Sequence, residues 1–461
     1  MLGLADGSHA PGAVAHAEGI DGDALVLEAQ RSGVAAGLVE VALGEGRLLG
    51  VAATNALELG IDVGGLDAVV LNGFPGTLAS LRQQAGRAGR SGRRAAAVLV
   101  AGDDQLDQWY VAHPEQLLTR PPEAAVINPD NPFVLRPHVA CAAHELPLTP
   151  EDERWFGPGL DDAVRELVQV DLLRPRDGRM FWAGRTPPAP SVGLRTGSNE
   201  EVSLLTTEGG RTRLIGTVDG SRVYNVAHEG AVYLHQGRQW QVERLDVADH
   251  AAWLVEADEL DEYTQPREET DIEFLATEHS TDRGAGRAHL GRVEVTNQVV
   301  AYQRRRIGSA ESLGVVDLDV PPRTLDTRAC WYTVPAEVLA AAGIDPSRTT
   351  GAVHAAEHAL IGLLPLFAIC DRWDVGGVSM AVHPQTGEPT IVVYDGYPGG
   401  AGIAELAYAD VDRHVRDTLA LVEACPCDHG CPSCVQSPKC GNWNEYLDKD
   451  AAISLLRLLV G

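Results

Sequence analysis

The alternation of strand-like and helix-like segments between residues 48 and 101 constrains the fold of this chain most. Residues 48–54, 66–71 and 95–101 are apolar runs of strand length, and residues 78–90 fit a helix. A strand, a loop, a second strand, a helix and a third strand at this spacing predict a mostly parallel sheet. Such sheets carry their ligand loops at one edge. The sequence therefore predicts an α/β unit in this region.

The loop after the first predicted strand carries side chains suited to nucleic acid and nucleotide. Thr54 and Asn55 follow the strand at its carboxyl edge, where a hydroxyl and backbone amides can hold a nucleic-acid phosphate. Gly60 permits a tight turn, and Asp62 offers a carboxylate to a ribose hydroxyl. The loop thus predicts a contact site for a phosphate and a ribose.

The end of the predicted helix carries a glycine- and arginine-rich segment that begins at Gln83. Arg87 and Arg90 are three positions apart, which on one helical turn would point them the same way. Gly86 and Gly89 remove bulk beside them, so a phosphate chain can approach. Two neighbouring guanidinium groups suit the stabilisation of charge on a transferring phosphoryl group.

In their order and spacing, these two segments resemble motifs V and VI of superfamily 2 helicases, the signature of the second RecA-like lobe. The resemblance implies DNA contacts at Thr54 and Asn55, ATP contacts at Gly60, Asp62 and Gln83, and arginine fingers at Arg87 and Arg90.

Lysine is almost missing from the chain: Lys439 and Lys449 are the only two among 37 basic residues. A phosphate-binding P-loop needs Gly-Lys-Ser/Thr, so this sequence holds no Walker A motif. Asp258 and Glu259 end an apolar run like a Walker B box, but they follow the arginine motif, and we interpret them as a solvated charge run. We expect a fragment, a divided gene or a truncated form of a helicase. It would bind ATP and Mg²⁺ only with a missing first RecA-like lobe and would not hydrolyse ATP alone.

The net charge is −28, from 65 acidic and 37 basic residues, which argues against a histone-like nucleic-acid binder. It does not exclude a local basic groove. Five arginines lie close together around the predicted motif VI: Arg82, Arg87, Arg90, Arg93 and Arg94.

Five of the eight cysteines lie between Cys425 and Cys440. The pattern Cys-x-Cys-x3-Cys-x2-Cys predicts a structural zinc site with the knuckle Cys431–Cys434 and with Cys427. The fourth ligand is either Cys425 or Cys440, and we favour Cys425 because it completes the compact unit. Clustered thiols indicate a reducing compartment, which predicts a cytoplasmic protein. We read no signal peptide, and the longest apolar run, 359–370, is too short to cross a membrane.

Two further patterns allow competing interpretations. His354, Glu357 and His358 have the His-x-x-Glu-His order of inverzincin metalloproteases, and on a helix the two imidazoles could meet a metal. We favour polar positions within a fold, because the partner motif of a protease is missing. The glycine-rich segment 394–402 is interpreted as a strand-to-helix turn rather than a phosphate loop, since it has no lysine.

The predicted lobe, together with the segments 128–133, 140–143, 395–400 and 430–434, resembles the MrfA-like (SftH-like) DNA-repair helicases. The resemblance implies a 3′→5′ DNA helicase or translocase with a winged helix and a C-terminal zinc-binding domain. Its partner would be single-stranded or 3′-tailed DNA. The alternative is a non-catalytic DNA-binding or adaptor module that keeps the RecA-like lobe as a scaffold.

The expected fold class is α/β: a RecA-like second helicase lobe, then a winged-helix and a small β domain, then an α+β zinc-binding domain. The predicted boundaries are 1–104 for the lobe, 105–150 for a connector, 151–200 for the winged helix, 201–290 for the small β domain with an acidic linker, and 291–461 for the C-terminal domain.

Overall fold

The computed structural model describes residues 50–53, 58, 66–89, 94–192, 201–235, 238–257 and 260–461. Several predicted features lie outside the described residues. They are most of the first strand, the Asp258-Glu259 pair, and the site residues Thr54, Asn55, Gly60, Asp62 and Arg90.

The described part of the lobe has two parallel strands, β1 (Ala68–Asn72) and β2 (Ala96–Val100), joined through helix α1 (Leu78–Ala85). This confirms the predicted α/β unit with a parallel sheet. The Thr77 hydroxyl caps α1 by accepting a hydrogen bond from the backbone of its first turn. The helix ends at Gly86, before the predicted end at residue 90, because the glycine-rich segment favours a turn over a further helical turn.

Two helices follow the sheet, α2 (Gln105–Ala112) and α3 (Gln116–Thr119). The buried carboxylate of Asp107 in α2 accepts hydrogen bonds from the backbone N–H of Phe74 and of Gly102, both at 2.6 Å. These two residues follow β1 and β2, so α2 is anchored at the carboxyl edge of the sheet.

A winged-helix unit comes next. It comprises the helices α4 (Pro132–Glu145), α5 (Glu153–Phe156) and α6 (Leu160–Gln169) and the hairpin β3 (Leu173–Arg176) and β4 (Arg179–Trp182). The prediction that residues 105–150 form a connector is wrong for the part that contains α4. That helix shares one core with α6 and β3, so its apolar face belongs to the winged helix. The shared core contains Leu135, Val139, Leu160, Leu167 and Leu173.

The small β domain is a five-stranded sheet, as predicted from the Val-, Thr- and Trp-rich sequence. Its strands are β5 (Glu201–Glu208), β6 (Arg211–Asp219), β7 (Val232–His235), β8 (Arg238–Asp246) and β9 (Ala251–Glu256), with the short helix α7 (Val223–Val226). The strand order is β6-β5-β9-β8-β7, and all neighbours are antiparallel except β5 and β9.

The predicted acidic linker is instead one of the two longest strands of the described chain. Strands β10 (Glu262–Arg283) and β11 (Gly286–Arg306) form an antiparallel hairpin that also spans the predicted domain boundary at residue 290. Three register shifts interrupt the pairing, and half of the side chains of β10 are exposed to solvent. Two of these shifts insert an extra residue into β10, and each insertion moves the alternation of the strand by one position. The period-two pattern of β10 is therefore hidden in the sequence.

The hairpin continues into the sheet of the C-terminal domain, in the order β10-β11-β13-β15-β14, with β12 paired to β11. The remaining strands are β12 (Ser312–Asp317), β13 (Arg323–Thr333), β14 (Val375–Met380) and β15 (Thr390–Asp395). The helices of this domain are α8 (Ala336–Ala341), α9 (Pro346–Leu363), α10 (Ile403–Ala409), α11 (Val411–Ala424) and α12 (Lys449–Val460). Helix α9 is buried along most of its length and forms the centre of the domain.

Within the part of the chain that the structure describes, no helix combines the length and the apolar character needed to cross a membrane.

Candidate zinc centre and its junction with the helicase lobe

The two predicted ATP-site residues that the structure describes lie at the end of α1. Gln83 is exposed on the last turn of the helix. Arg87 lies beyond the helix and is only 9% exposed, and its guanidinium donates a hydrogen bond to the backbone carbonyl of Glu58. The prediction that Arg87 extends along a helical turn is therefore wrong, because α1 ends at Ala85. The side chain instead joins the two predicted motifs.

Four of the five clustered cysteines bring their sulfur atoms together. The Sγ–Sγ separations are 3.6 Å for Cys425–Cys427, 3.5 Å for Cys425–Cys431, 3.5 Å for Cys427–Cys434 and 3.8 Å for Cys431–Cys434. A tetrahedral ion with Zn–S bonds of about 2.3 Å separates its sulfur ligands by about 3.8 Å. The geometry of the cluster therefore fits a tetrahedral zinc ion without rearrangement.

Lys449 completes this cluster electrostatically, a role that the sequence reasoning missed. Its ammonium donates to the carbonyls of Cys425 and Cys427, at 2.7 and 2.6 Å, and lies 3.5 Å from the Cys427 Sγ. Burial opposes the charge of this lysine, but the neighbouring cysteines, Cys427 first, raise its pKa. A zinc ion with four thiolates carries net negative charge, which a buried ammonium offsets. The signal available in the sequence was the position of both lysines beside the cysteines.

Cys440, the alternative fourth ligand, lies elsewhere. Its Sγ is 3.5 Å from the Nε2 of His354, in a second group that also contains His358. The structure therefore places Cys425, and not Cys440, with the other three cysteines. It also brings together the two histidines of the His-x-x-Glu-His pattern, while Glu357 lies outside both groups of candidate metal ligands found among the described residues.

Gln105, the first residue of helix α2, connects the helicase lobe to the cysteine cluster. Its Nε2 donates to the carbonyl of Cys434 at 2.8 Å and lies 3.5 Å from that of His358. The side chain is 2% exposed and occupies the space beside Gly362 of helix α9. A Cβ on Gly362 would lie 1.6 Å from the Gln105 Oε1, so the glycine is required for this close approach.

An apolar core surrounds this connection and joins three parts of the fold. Leu78 comes from α1 and Trp109 from α2, while Leu363 ends α9 and Phe367 follows it. Leu421 of α11 closes the cluster. Each buried side chain of this size contributes roughly 1.5–3 kcal/mol, so the lobe and the cysteine domain are firmly packed together.

The winged helix is attached to the C-terminal domain by Asn131. Its Nδ2 donates to the carbonyls of Pro398 and Gly400, at 2.7 and 2.8 Å, while its Oδ1 caps α4 by accepting from the N–H of Phe133. The side chain is 4% exposed. Two of the segments on which the family resemblance depends therefore meet at one residue.

The glycine-rich segment after β15 is a strand-to-helix turn, as predicted. Gly399, Gly400 and Gly402 all have positive φ, which lets the backbone N–H groups at the start of α10 turn towards one carboxylate. That carboxylate belongs to Asp395, which is fully buried and accepts four backbone hydrogen bonds. Burial raises the pKa of Asp395 to about 6, against the opposing effect of those N–H donors. The turn is occupied by its own aspartate, so it is not a phosphate loop.

Three protein families match consecutive parts of the chain. The helicase conserved C-terminal domain matches residues 40–92, the winged helix domain of the ATP-dependent helicase HRQ1 matches residues 127–196, and the MrfA Zn-binding domain matches residues 356–435. These domains define the class of the protein: a helicase C-terminal lobe combined with a winged helix and a zinc-binding domain. The winged-helix match begins before α4, in agreement with the shared core.

Whole-chain comparisons identify the family. The chain is 35% identical to the ATP-dependent helicase YprA of Bacillus subtilis (strain 168) over 399 residues, 86% of this chain and 52% of that protein. It is 30% identical to the ATP-dependent helicase HRQ1 of Saccharomyces cerevisiae, over 92% of this chain and 40% of that protein. A crystal structure of the DUF1998 helicase MrfA bound to DNA matches with a TM-score of 0.57 and 31% identity, over 95% of this chain and 57% of the other. Another, bound to DNA and AMPPNP, has a TM-score of 0.56.

The chain belongs to the MrfA-like helicases and corresponds to the C-terminal part of an ATP-dependent helicase related to YprA, HRQ1 and MrfA. It spans about half the length of the relatives that it matches.

Proposed function

We propose that the chain is the C-terminal half of an ATP-dependent 3′→5′ DNA helicase or translocase that acts in DNA repair in the cytoplasm. The observation that carries the proposal is the match of 95% of the chain to MrfA structures bound to DNA. ATP and Mg²⁺ bind between the lobe of this chain and a first RecA-like lobe. The 461 residues contain no Gly-Lys-Ser/Thr sequence that could hold the phosphates alone.

The arginines of motif VI complete the ATP site. Arg87 and Arg90 stabilise the charge that develops on the transferring γ-phosphoryl group, and Gln83, Gly60 and Asp62 contact the nucleotide. The hydrogen bond from Arg87 to the backbone of Glu58 supports this arrangement, because it fixes motif VI against motif V. The exposure of Gln83 leaves its amide accessible to a nucleotide.

DNA follows a path from the lobe to the winged helix. Thr54 and Asn55 hold the phosphates of one strand at the edge of the sheet. The hairpin of the winged helix exposes three arginines within residues 174–179, which are Arg174, Arg176 and Arg179. In a chain with a net charge of −28, this local group of cations supports a second phosphate contact. The preferred substrate is single-stranded or 3′-tailed DNA.

The cysteine domain is a structural support for the lobe. Cys425, Cys427, Cys431 and Cys434 are the ligands of a structural zinc ion, whose role is to hold the ends of this short segment together. The chain's own contribution is the connection from Cys434 through Gln105 to the helicase lobe, which holds the two domains in one arrangement.

A strand-displacement assay tests the proposal. The chain is combined with the first RecA-like lobe of a close relative, and ATP-dependent release of a labelled strand is compared between duplexes with a 3′ and a 5′ single-stranded tail. We expect release from the 3′-tailed duplex alone. An Arg90→Ala variant abolishes it, whereas Arg94→Ala, an exposed arginine outside the motif, leaves it nearly unchanged. DNA binding without displacement by correctly folded lobes would contradict the proposal and favour the adaptor alternative.

A further inference from the structure

A second group of metal-ligand side chains lies outside the four-cysteine cluster. His354 and His358 are one turn apart on α9, so their imidazoles share a face of the helix, with ring centroids 4.4 Å apart. Cys440, on the segment before α12, approaches the same point. The three ligand atoms all lie within 4.8 Å of one another.

In both histidines, the ring nitrogen that carries the proton is Nδ1, which faces away from this point. The Nδ1 of His354 is 3.1 Å from the carbonyl of Glu445, and the Nδ1 of His358 is 2.8 Å from that of Val435. A carbonyl can only accept, so each Nδ1 carries the proton and each neutral ring presents an Nε2 lone pair.

The thiol of Cys440 cannot satisfy both lone pairs. Its Sγ lies 2.8 Å from the Oδ1 of Asn442, an acceptor, and accepts from the N–H of Asn444 at 3.3 Å. One S–H therefore faces three acceptors, the amide oxygen and two imidazole nitrogens. The only nearby ammonium on this segment, that of Lys439, donates to the carbonyls of Arg372 and Val375. Converging acceptors without enough protons are the arrangement that binds a cation.

Two imidazoles and one thiolate are the donor set of zinc. Zn–N bonds of about 2.0 Å and Zn–S bonds of about 2.3 Å in a tetrahedron place nitrogen and sulfur about 3.5 Å apart. The separation between the His354 Nε2 and the Cys440 Sγ is 3.5 Å. The carbonyl partners of both Nδ1 atoms are the outer contacts that orient histidine ligands at metal sites.

We propose that His354, His358 and Cys440 form a second zinc site, distinct from the four-cysteine cluster, with water as the fourth ligand. On binding, Cys440 releases its thiol proton to solvent and becomes a thiolate. The site ties the segment before α12 to helix α9. Because Glu357 is not among the converging atoms, the group lacks the general base that a metalloprotease of this motif would need.

Metal stoichiometry tests the proposal without any activity assay. The 461-residue chain is purified without a histidine tag, dialysed against buffer with micromolar zinc and then against metal-free buffer, and measured by inductively coupled plasma mass spectrometry. We expect about two zinc ions per chain in the wild type. We expect about one in Cys440→Ala and in His354→Asn, and about one in Cys434→Ser, which loses the other ion.

The controls separate the two sites and the effect of folding. Cys141→Ser and His383→Gln change a cysteine and a histidine outside both groups, and both should keep about two zinc ions. After cobalt substitution, Cys440→Ala should lose the charge-transfer absorption of one thiolate while the four-cysteine spectrum persists. About one zinc ion in the wild type, lost in Cys434→Ser and unaffected by Cys440→Ala, would overturn this inference and leave the four-cysteine site intact. The number of zinc ions bound per wild-type chain distinguishes two sites from one without any variant, so the test stays valid if a variant fails to fold.

Discussion

Replacing Gly362 by alanine should have opposite effects depending on the residue at position 105. The three atoms nearest to a Cβ at Gly362 all belong to the Gln105 side chain, at 1.6, 2.3 and 3.0 Å. The Gln105 side chain is 2% exposed and its amide group occupies the position that the new methyl group takes, so the substitution displaces the amide and breaks its hydrogen bond to the Cys434 carbonyl.

The size of the destabilisation follows from the Cys434 carbonyl, which loses its hydrogen-bond donor in either variant. A buried carbonyl without its donor costs about 1–3 kcal/mol, so both Gly362→Ala and Gln105→Ala should destabilise the junction by about 2 kcal/mol. In the Gln105→Ala background the methyl group enters space that the glutamine has left. There, Gly362→Ala should stabilise α9 by up to about 1 kcal/mol, the helix-propensity gain of alanine over glycine.

Hydrogen exchange measured by mass spectrometry on peptides from α2 and α9 reports the local opening free energy of this junction. The four proteins of the cycle are compared with Gly216→Ala. At that position a Cβ meets only ordinary contacts at 3.6 and 3.9 Å, so no clash is expected. Equal effects of Gly362→Ala in the two backgrounds would refute the steric argument, because the two residues would then be independent.

Three further outcomes are expected. Cys434→Ser should lose the zinc ion of the four-cysteine cluster in elemental analysis, while Cys141→Ser should retain it; zinc retention by Cys434→Ser would contradict the ligand assignment. Burial lowers the pKa of His414 to about 4, so the unfolded chain takes up its proton first, and stability present above pH 6.5 is lost as the pH falls towards 4. The His414→Gln variant keeps a donor for the Leu360 carbonyl but cannot take up a proton. In urea unfolding between pH 6.5 and pH 4, the free energy of unfolding of this variant should fall by up to about 3 kcal/mol less than that of the wild type. The same pH dependence in both proteins would contradict this. Asn131→Ala removes three hydrogen bonds and should lower the stability of the winged-helix junction by about 2–3 kcal/mol. The effect should appear as faster hydrogen exchange of the backbone amides in α4. Unchanged protection of α4 would show that the junction does not depend on these hydrogen bonds.

Much of the architecture could be predicted because local patterns determined it. The parallel pair β1 and β2 followed from two apolar runs separated by a helix. The spacing of the cysteines indicated the cluster, but it left Cys425 and Cys440 as alternatives for the fourth position. The strand-to-helix turn at Asp395 followed from its glycines. In each case the residues that decide the structure are neighbours in sequence.

The features that the sequence did not reveal depend on contacts between distant residues. Gln105 reaches Cys434 across 329 positions, and Cys440 meets His354 across 86, so no local pattern marks either contact. The hairpin of β10 and β11 was missed for a different reason. Its register shifts and its acidic, solvent-facing side chains resemble a linker, and only pairing with the neighbouring strand makes the segment ordered.

ATP hydrolysis by the combined lobes is the most direct test of the central claim that this chain completes a helicase ATPase. The turnover number is measured with saturating single-stranded DNA for the chain alone, the first lobe alone and their mixture. We predict hydrolysis by the mixture only, with a loss of about 10³-fold or more in Arg90→Ala and little change in Arg94→Ala. Equal turnover in these two variants, or no hydrolysis by folded lobes that bind each other, would contradict the claim.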